Sequence, residues 1–147
     1  MAKKKTNPYH VNYYSLNHGG VSILPVAVIY NARFCRLDYA AKTVLSYIAA
    51  QYNGFNNGDL CATLSIFKNY GFKSQDTLTR SIKALIKEGL IELTRAGGKD
   101  WHTGGNLPSL YALTWQPIDE CKGKLDVKPT TKPAVDFLSE FRRAINE

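Results

Sequence analysis

At 147 residues, 44% of them hydrophobic, the chain has enough apolar side chains for one core and too little length for two ordinary domains. A formal charge of +7 points to a polyanionic partner, with nucleic acid ahead of an anionic membrane. Cys35, Cys61 and Cys121 are odd in number, far apart and without a CxxC pair, which argues against a disulfide framework or zinc ribbon. They read as reduced thiols of a cytoplasmic protein, and no apolar run suits a signal peptide or a membrane span.

The first twenty residues carry Lys3, Lys4 and Lys5 and then Tyr9, Tyr13 and Tyr14 among Asn and Gly, and read as a basic, flexible N-terminal arm. Residues 21–30, VSILPVAVIY, have strand composition. Pro25 cannot donate in mid-sheet, so a short edge strand or a segment laid across the core is expected. From Asp38 the pattern turns helical, with Leu37, Ala41, Val44, Leu45, Ile48 and Tyr52 on one stripe and Asn53-Gly54 as the stop. Asn57-Gly58 marks a turn, and Asp59 and Leu60 a very short strand. Residues 62–70, ATLSIFKNY, suit a short helix with Leu64, Phe67 and Tyr70 inward.

The stretch GFKSQDTLTR, residues 71–80, opens the next helix. Gly71 suits a left-handed stop to the preceding helix, Ser74 an N-cap, and Asp76 the positive end of the helix dipole. Leu78, Ile82, Leu85 and Ile86 form its apolar side and Gly89 its stop. Arg80, Lys83 and Lys87 gather opposite with Asp76, while Gln75 and Thr77 sit at the exposed N-terminal end. LIELTR and SLYALTW have strand composition, and AGGKDWHTGGNLP between them makes a β-hairpin with a long, basic, aromatic-bearing tip. Residues 117–133, rich in Pro, Lys and Thr, read as a linker. Residues 134–147 read as a C-terminal amphipathic helix with Ala134, Leu138, Phe141 and Ile145 on its stripe.

Helix, short helix, turn, helix, hairpin is the element order of a winged helix-turn-helix. The expected fold is therefore α+β, a three-helix core with a β-hairpin wing over 21–116, plus the arm and the C-terminal helix. LPVAVIYN, QYNGFNNGDL, GFKSQDTL, RAGGK and PSLYALTWQPIDEC also resemble a group of small bacterial winged helix-turn-helix proteins, commonly encoded on phages, plasmids and other mobile elements. The resemblance spans roughly residues 23–128 and implies a DNA-binding domain. DWHTGG between GGK and NLP looks longer than that family's usual hairpin tip.

A recognition helix brings its N-terminal residues to base edges and its longer cations to phosphates. That geometry nominates Lys73, Ser74, Gln75 and Thr77 for bases, and Arg80, Lys83 and Lys87 for the backbone. Gln75 suits an adenine edge and Arg80 a guanine, while Asp76 is read as a helix cap. In the wing, Arg95, Lys99, Trp101 and His102 are expected to straddle the backbone beside a minor groove, with Trp101 stacking or wedging. GGK at 97–99 is not a phosphate loop, because Asp100 follows where Ser or Thr belongs. His10, His18 and His102 are scattered, and Asp119 and Glu120 have no partner base. No enzyme, metal or cofactor is expected.

The expected function is sequence-specific double-stranded DNA binding by a homodimer, as a transcriptional regulator or replication-control factor of a mobile element. The alternative is a winged-helix interaction module that binds and inhibits a host protein.

Overall fold

The structure, a computed structural model, describes residues 21–147 and has a mixed α+β architecture with a small antiparallel sheet. The expected arm, residues 1–20, lies outside the described residues. The segment from 21 to 30 contains no strand. It carries one helical turn, α1 (Val26–Ile29), followed by another, α2 (Ala32–Cys35). Pro25 explains the difference: its ring pre-sets φ at −59°, and its carbonyl accepts from the N–H groups of Val28 and Ile29. The residue that forbids a central strand here starts a helix. The segment does lie on the core, with Val28 buried and Val21, Ile23, Leu24 and Ala27 partly covered.

Helix α3 (Tyr39–Gln51) begins where the Asp38 carboxylate accepts from the Ala41 N–H at 2.8 Å. Its whole expected stripe, from Leu37 through Ala41, Val44, Leu45 and Ile48 to Tyr52, is buried. Strand β1 is only Leu60–Cys61, and the Gln51 amide bonds both the N–H and the carbonyl of Cys61, at 2.9 and 2.7 Å. A side chain thus takes the place of a further strand at this edge. Helix α4 (Leu64–Phe67) tightens into a 3-10 turn, Lys68–Tyr70. Phe67 is fully buried and Leu64 half-buried. Tyr70, expected inward, is 43% exposed and lies flat on Tyr47, with ring centroids 4.3 Å apart.

Gly71 adopts φ +94° and reverses the chain into α5 (Gln75–Lys87), which packs along α3. Strands β2 (Ile91–Arg95) and β5 (Leu110–Leu113) pair antiparallel, and β5 also pairs with β1, giving the order β1-β5-β2. The register shifts between Leu93 and Arg95, and the main pairing ends with Arg95 opposite Leu110. Beyond it β3 (Gly98–Lys99) and β4 (Asn106–Leu107) form a separate two-stranded ribbon.

Residues 117–133, expected as a linker, are docked on the domain. The N–H of Asp119 donates to the Asn57 carbonyl, that of Asp126 to Thr94, and that of Thr130 to Ile118, while Ile118 itself is buried. Side chains add to this docking: Asp119 accepts from the Asn57 N–H, Thr130 from the Ile118 N–H, and Lys124 pairs with Asp59 at 2.9 Å, partners that Pro, Lys and Thr composition does not announce. Its centre is the fully buried Asn57, whose amide donates to the carbonyls of Leu113, Gln116 and Pro117 and accepts from the Leu113 N–H. Beside it, burial pushes the Cys121 thiol up to about 11. Helix α6 (Phe137–Asn146) starts at Asp136, which caps Ser139, and folds back against α1. Its inward residue is Phe137, set edge-on to Trp115 at 6.4 Å. The expected stripe is largely not the buried face: Leu138 is 51% and Ile145 65% exposed. The docking is instead oriented by Glu140, which accepts from Asn31 at 2.7 Å and pairs with Arg33 at 3.4 Å.

Candidate nucleic-acid interface

The positions of the α5 side chains follow from how its two ends are fixed. At the start, the Ser74 hydroxyl accepts from the Thr77 N–H at 3.3 Å, and the Phe72 N–H returns to the Phe67 carbonyl while the two rings meet edge to face. At the end, Glu88 and Gly89 donate to Ala84 and Ile86, and Leu90 enters the core ahead of β2. Inward, Leu78 and Leu85 are fully buried, with Ser81 between them donating to the Thr77 carbonyl. Ile82 is only half-buried, and Ile86, expected on the apolar side, is 41% exposed. The line through Leu78, Ser81 and Leu85 is the buried one, and burial of Ser81 costs little because its hydroxyl is satisfied within its own helix.

That buried line sets the outer face. At about 100° per residue, Asp76, Arg80, Lys83 and Lys87 fall within one narrow stripe, and all four are exposed. Lys73, Ser74 and Gln75 are exposed at the N-terminal end, and Thr77 is half-buried beside them. Gln75 donates to the Thr79 hydroxyl at 3.1 Å. Asp76 sits in the first turn as expected, and also lies 3.4 Å from Arg80, with both side chains more than 70% exposed. Water and salt screen such a pair heavily, so Asp76 holds Arg80 only weakly.

The ribbon is built differently. The Arg95 guanidinium donates to the Pro108 carbonyl at 3.0 Å, and the Gly97 N–H donates to the Ser109 hydroxyl at 2.9 Å. A Cβ on Gly97 would meet the Leu107 carbonyl oxygen at 2.8 Å, so only glycine lets the strands approach here. Arg95, nominated for the DNA backbone, is thus half-buried and holds the base of the ribbon. Lys99, Trp101 and His102 are fully outside, with Trp101 93% exposed. Asp100 orders the turn that carries them: one carboxylate oxygen accepts from the His102 N–H and the other from the Thr103 hydroxyl, both at 2.9 Å. These two bonds, the first above all, hold the Asp100 carboxyl below its ordinary range.

No family model, curated protein or solved structure matches this chain.

The candidate residues therefore fall into two groups, one on the outer face of α5 and one at the ribbon tip, with Arg95 apart from both. Lys68 and Asn69, which were not nominated from sequence, are also exposed, on the 3-10 turn just before α5. Among the described residues, no three His, Cys, Asp or Glu side chains gather as a metal ion would require. No described helix is long and apolar enough to cross a membrane.

Proposed function

We propose that the protein binds double-stranded DNA sequence-specifically as a winged helix-turn-helix, with α3, α4 and α5 as its three helices and β2–β5 as its wing. The observation that carries this reading is the outer face of α5, where three exposed cations run along one stripe from a polar, exposed N-terminal end. Exposed lysines and arginines along a recognition helix are the groups that reach backbone phosphates, while Lys73, Ser74, Gln75 and Thr77 lie at the N-terminal end that such a helix turns to base edges. The order β1-β5-β2 supports it further, since it ties the short strand after α3 to the hairpin that follows α5. The role is that of a transcriptional regulator or replication-control factor of a mobile element, acting in the cytoplasm, in keeping with the family resemblance. No catalytic or cofactor chemistry enters the reading.

A homodimer extends the half-site that one such domain reads. The exposed apolar side chains of Val26, Tyr30, Leu138 and Ile145 on α1, α6 and the turn after α1 favour a protein partner at that end. They equally favour the second reading, in which this end binds and inhibits a host protein. Selection from a random duplex pool, followed by gel shift at fixed salt, separates the two. Enrichment of one sequence supports the DNA reader, and absence of any retained duplex refutes it.

A further inference from the structure

Trp101 is presented rather than merely exposed. The turn from Asp100 to Gly105 is closed by Asp100 N–H to the Gly105 carbonyl and Gly104 N–H to the Asp100 carbonyl, both at 2.7 Å, in addition to the two bonds to the Asp100 carboxylate. These hydrogen bonds fix a short tip whose outermost ring, Trp101, is left 93% exposed by the described residues. A backbone held in this way has little loop freedom left to lose when a ligand stacks on the ring it carries. Lys99 and His102, both exposed, flank it, so the ligand that fits carries a flat apolar face and a nearby anion. A nucleotide has both.

The remaining choice is between a base inside an intact duplex and an unpaired one. Wedges that enter a duplex must unstack it, and proteins that do so recover the cost by bending the DNA around a broad surface. This ribbon has no such surface. Each of its strands is two residues long, and all four residues are exposed. An unpaired base is already unstacked, so one ring is enough.

We infer that Trp101 is a stacking site for an unpaired nucleobase, so that the protein prefers DNA with a bulge, gap or fork beside the duplex its α5 contacts. This deepens the DNA-binding reading above and rests on it for the duplex part alone.

The test compares a 20-base-pair duplex, the same duplex with one central unpaired thymine, and a single-stranded oligothymidine. Each is titrated by anisotropy with wild type, Trp101→Ala and Trp101→Phe. The expected result is a bulged duplex bound about tenfold more tightly than the intact one by wild type. Trp101→Ala should erase that preference, lowering bulged-duplex affinity by far more than intact-duplex affinity, and Trp101→Phe should keep part of it. Equal wild-type affinity for bulged and intact duplex overturns the inference, as does an equal loss on both in Trp101→Ala. Trp101-dependent binding of the bulged and single-stranded forms, with no binding of the intact duplex, upholds it and refutes the duplex reading. Failure to bind any of the three overturns both.

Discussion

Asn57 should be the most sensitive polar position in the fold. Its side chain is fully buried and spends both amide hydrogens on the carbonyls of Leu113, Gln116 and Pro117, at 3.0 to 3.1 Å, while its oxygen holds the Leu113 N–H at 2.8 Å. Asn57→Ala removes about three hydrogen bonds worth ~1 kcal/mol each and strands a buried N–H that costs ~1–3 kcal/mol. The expected loss is about 4 kcal/mol, or about 10 °C in melting temperature for a chain of this size. Urea unfolding followed by tryptophan fluorescence measures it, because Trp115 lies in the segment that Asn57 anchors. Asn56→Ala is the control, since Asn56 is only half-buried and its amide bonds the Gln51 carbonyl and the Asn53 N–H. Asn57→Asp should be worse than Asn57→Ala at neutral pH, because it turns a carboxylate toward three carbonyl oxygens. It should recover partly in acid as that group takes a proton. An Asn57→Ala protein within about 1 kcal/mol of wild type would refute the view that this amide holds 113–119 in place.

Leu85→Ala should cost about 2 to 5 kcal/mol by denaturant unfolding and Ile82→Ala clearly less, because only Leu85 is fully buried; the reverse order would mean that α5 is rotated differently. A chain ending at Lys128 loses Phe137 from the Trp115 ring, so it should melt lower and emit further to the red. Light scattering of both chains, free of DNA, then reads the dimer: a full-length monomer at high micromolar concentration removes α6 as a stable dimer interface. Burial raises the Asp119 carboxyl above its ordinary 3.8, so the folded chain holds that proton more tightly than the unfolded one. Stability linked to it is present below 3.8 and declines as the pH climbs through the raised value. Asp119→Asn keeps an acceptor for the Asn57 N–H and should gain on wild type over that window, which urea midpoints measured from acid to neutral pH would detect.

The parts that could be read from sequence are those whose causes are local. Asp38 and Ser74 announce α3 and α5 through a hydroxyl or carboxylate at the right offset, and the 3.6-residue period marks their inner faces. Exposure of Arg80, Lys83 and Lys87 followed from the same period. Pro25 misled because it punctuates strands and starts helices with equal force, and the surrounding Val and Ile tipped the choice the wrong way. Asn57 looked like half of an Asn-Gly turn, and its partners, more than fifty residues away, are backbone carbonyls that leave no mark on composition. For α6, periodicity gave a helix but the wrong inner face. Leu138 and Ile145 have the spacing, yet the orientation is set by Phe137 meeting Trp115 and by Glu140 meeting Asn31 and Arg33. In the wing, strand composition on either side of a glycine-rich segment predicted the hairpin with Trp101 at its tip, while Arg95 was counted with the cations because its partner, the Pro108 carbonyl, is a backbone group that composition does not mark.

The central claim is that the outer stripe of α5 meets DNA phosphates, and the salt dependence of duplex binding tests it most directly. Wild type and Arg80→Ala/Lys83→Ala are titrated against one duplex across a range of salt, after circular dichroism shows that both are folded. Both side chains are exposed on α5, so the fold should be unaffected. The account predicts weaker binding in the double variant and a log–log salt slope shallower by about 2, close to one for each phosphate contact removed. An unchanged slope and affinity in the folded double variant would contradict it.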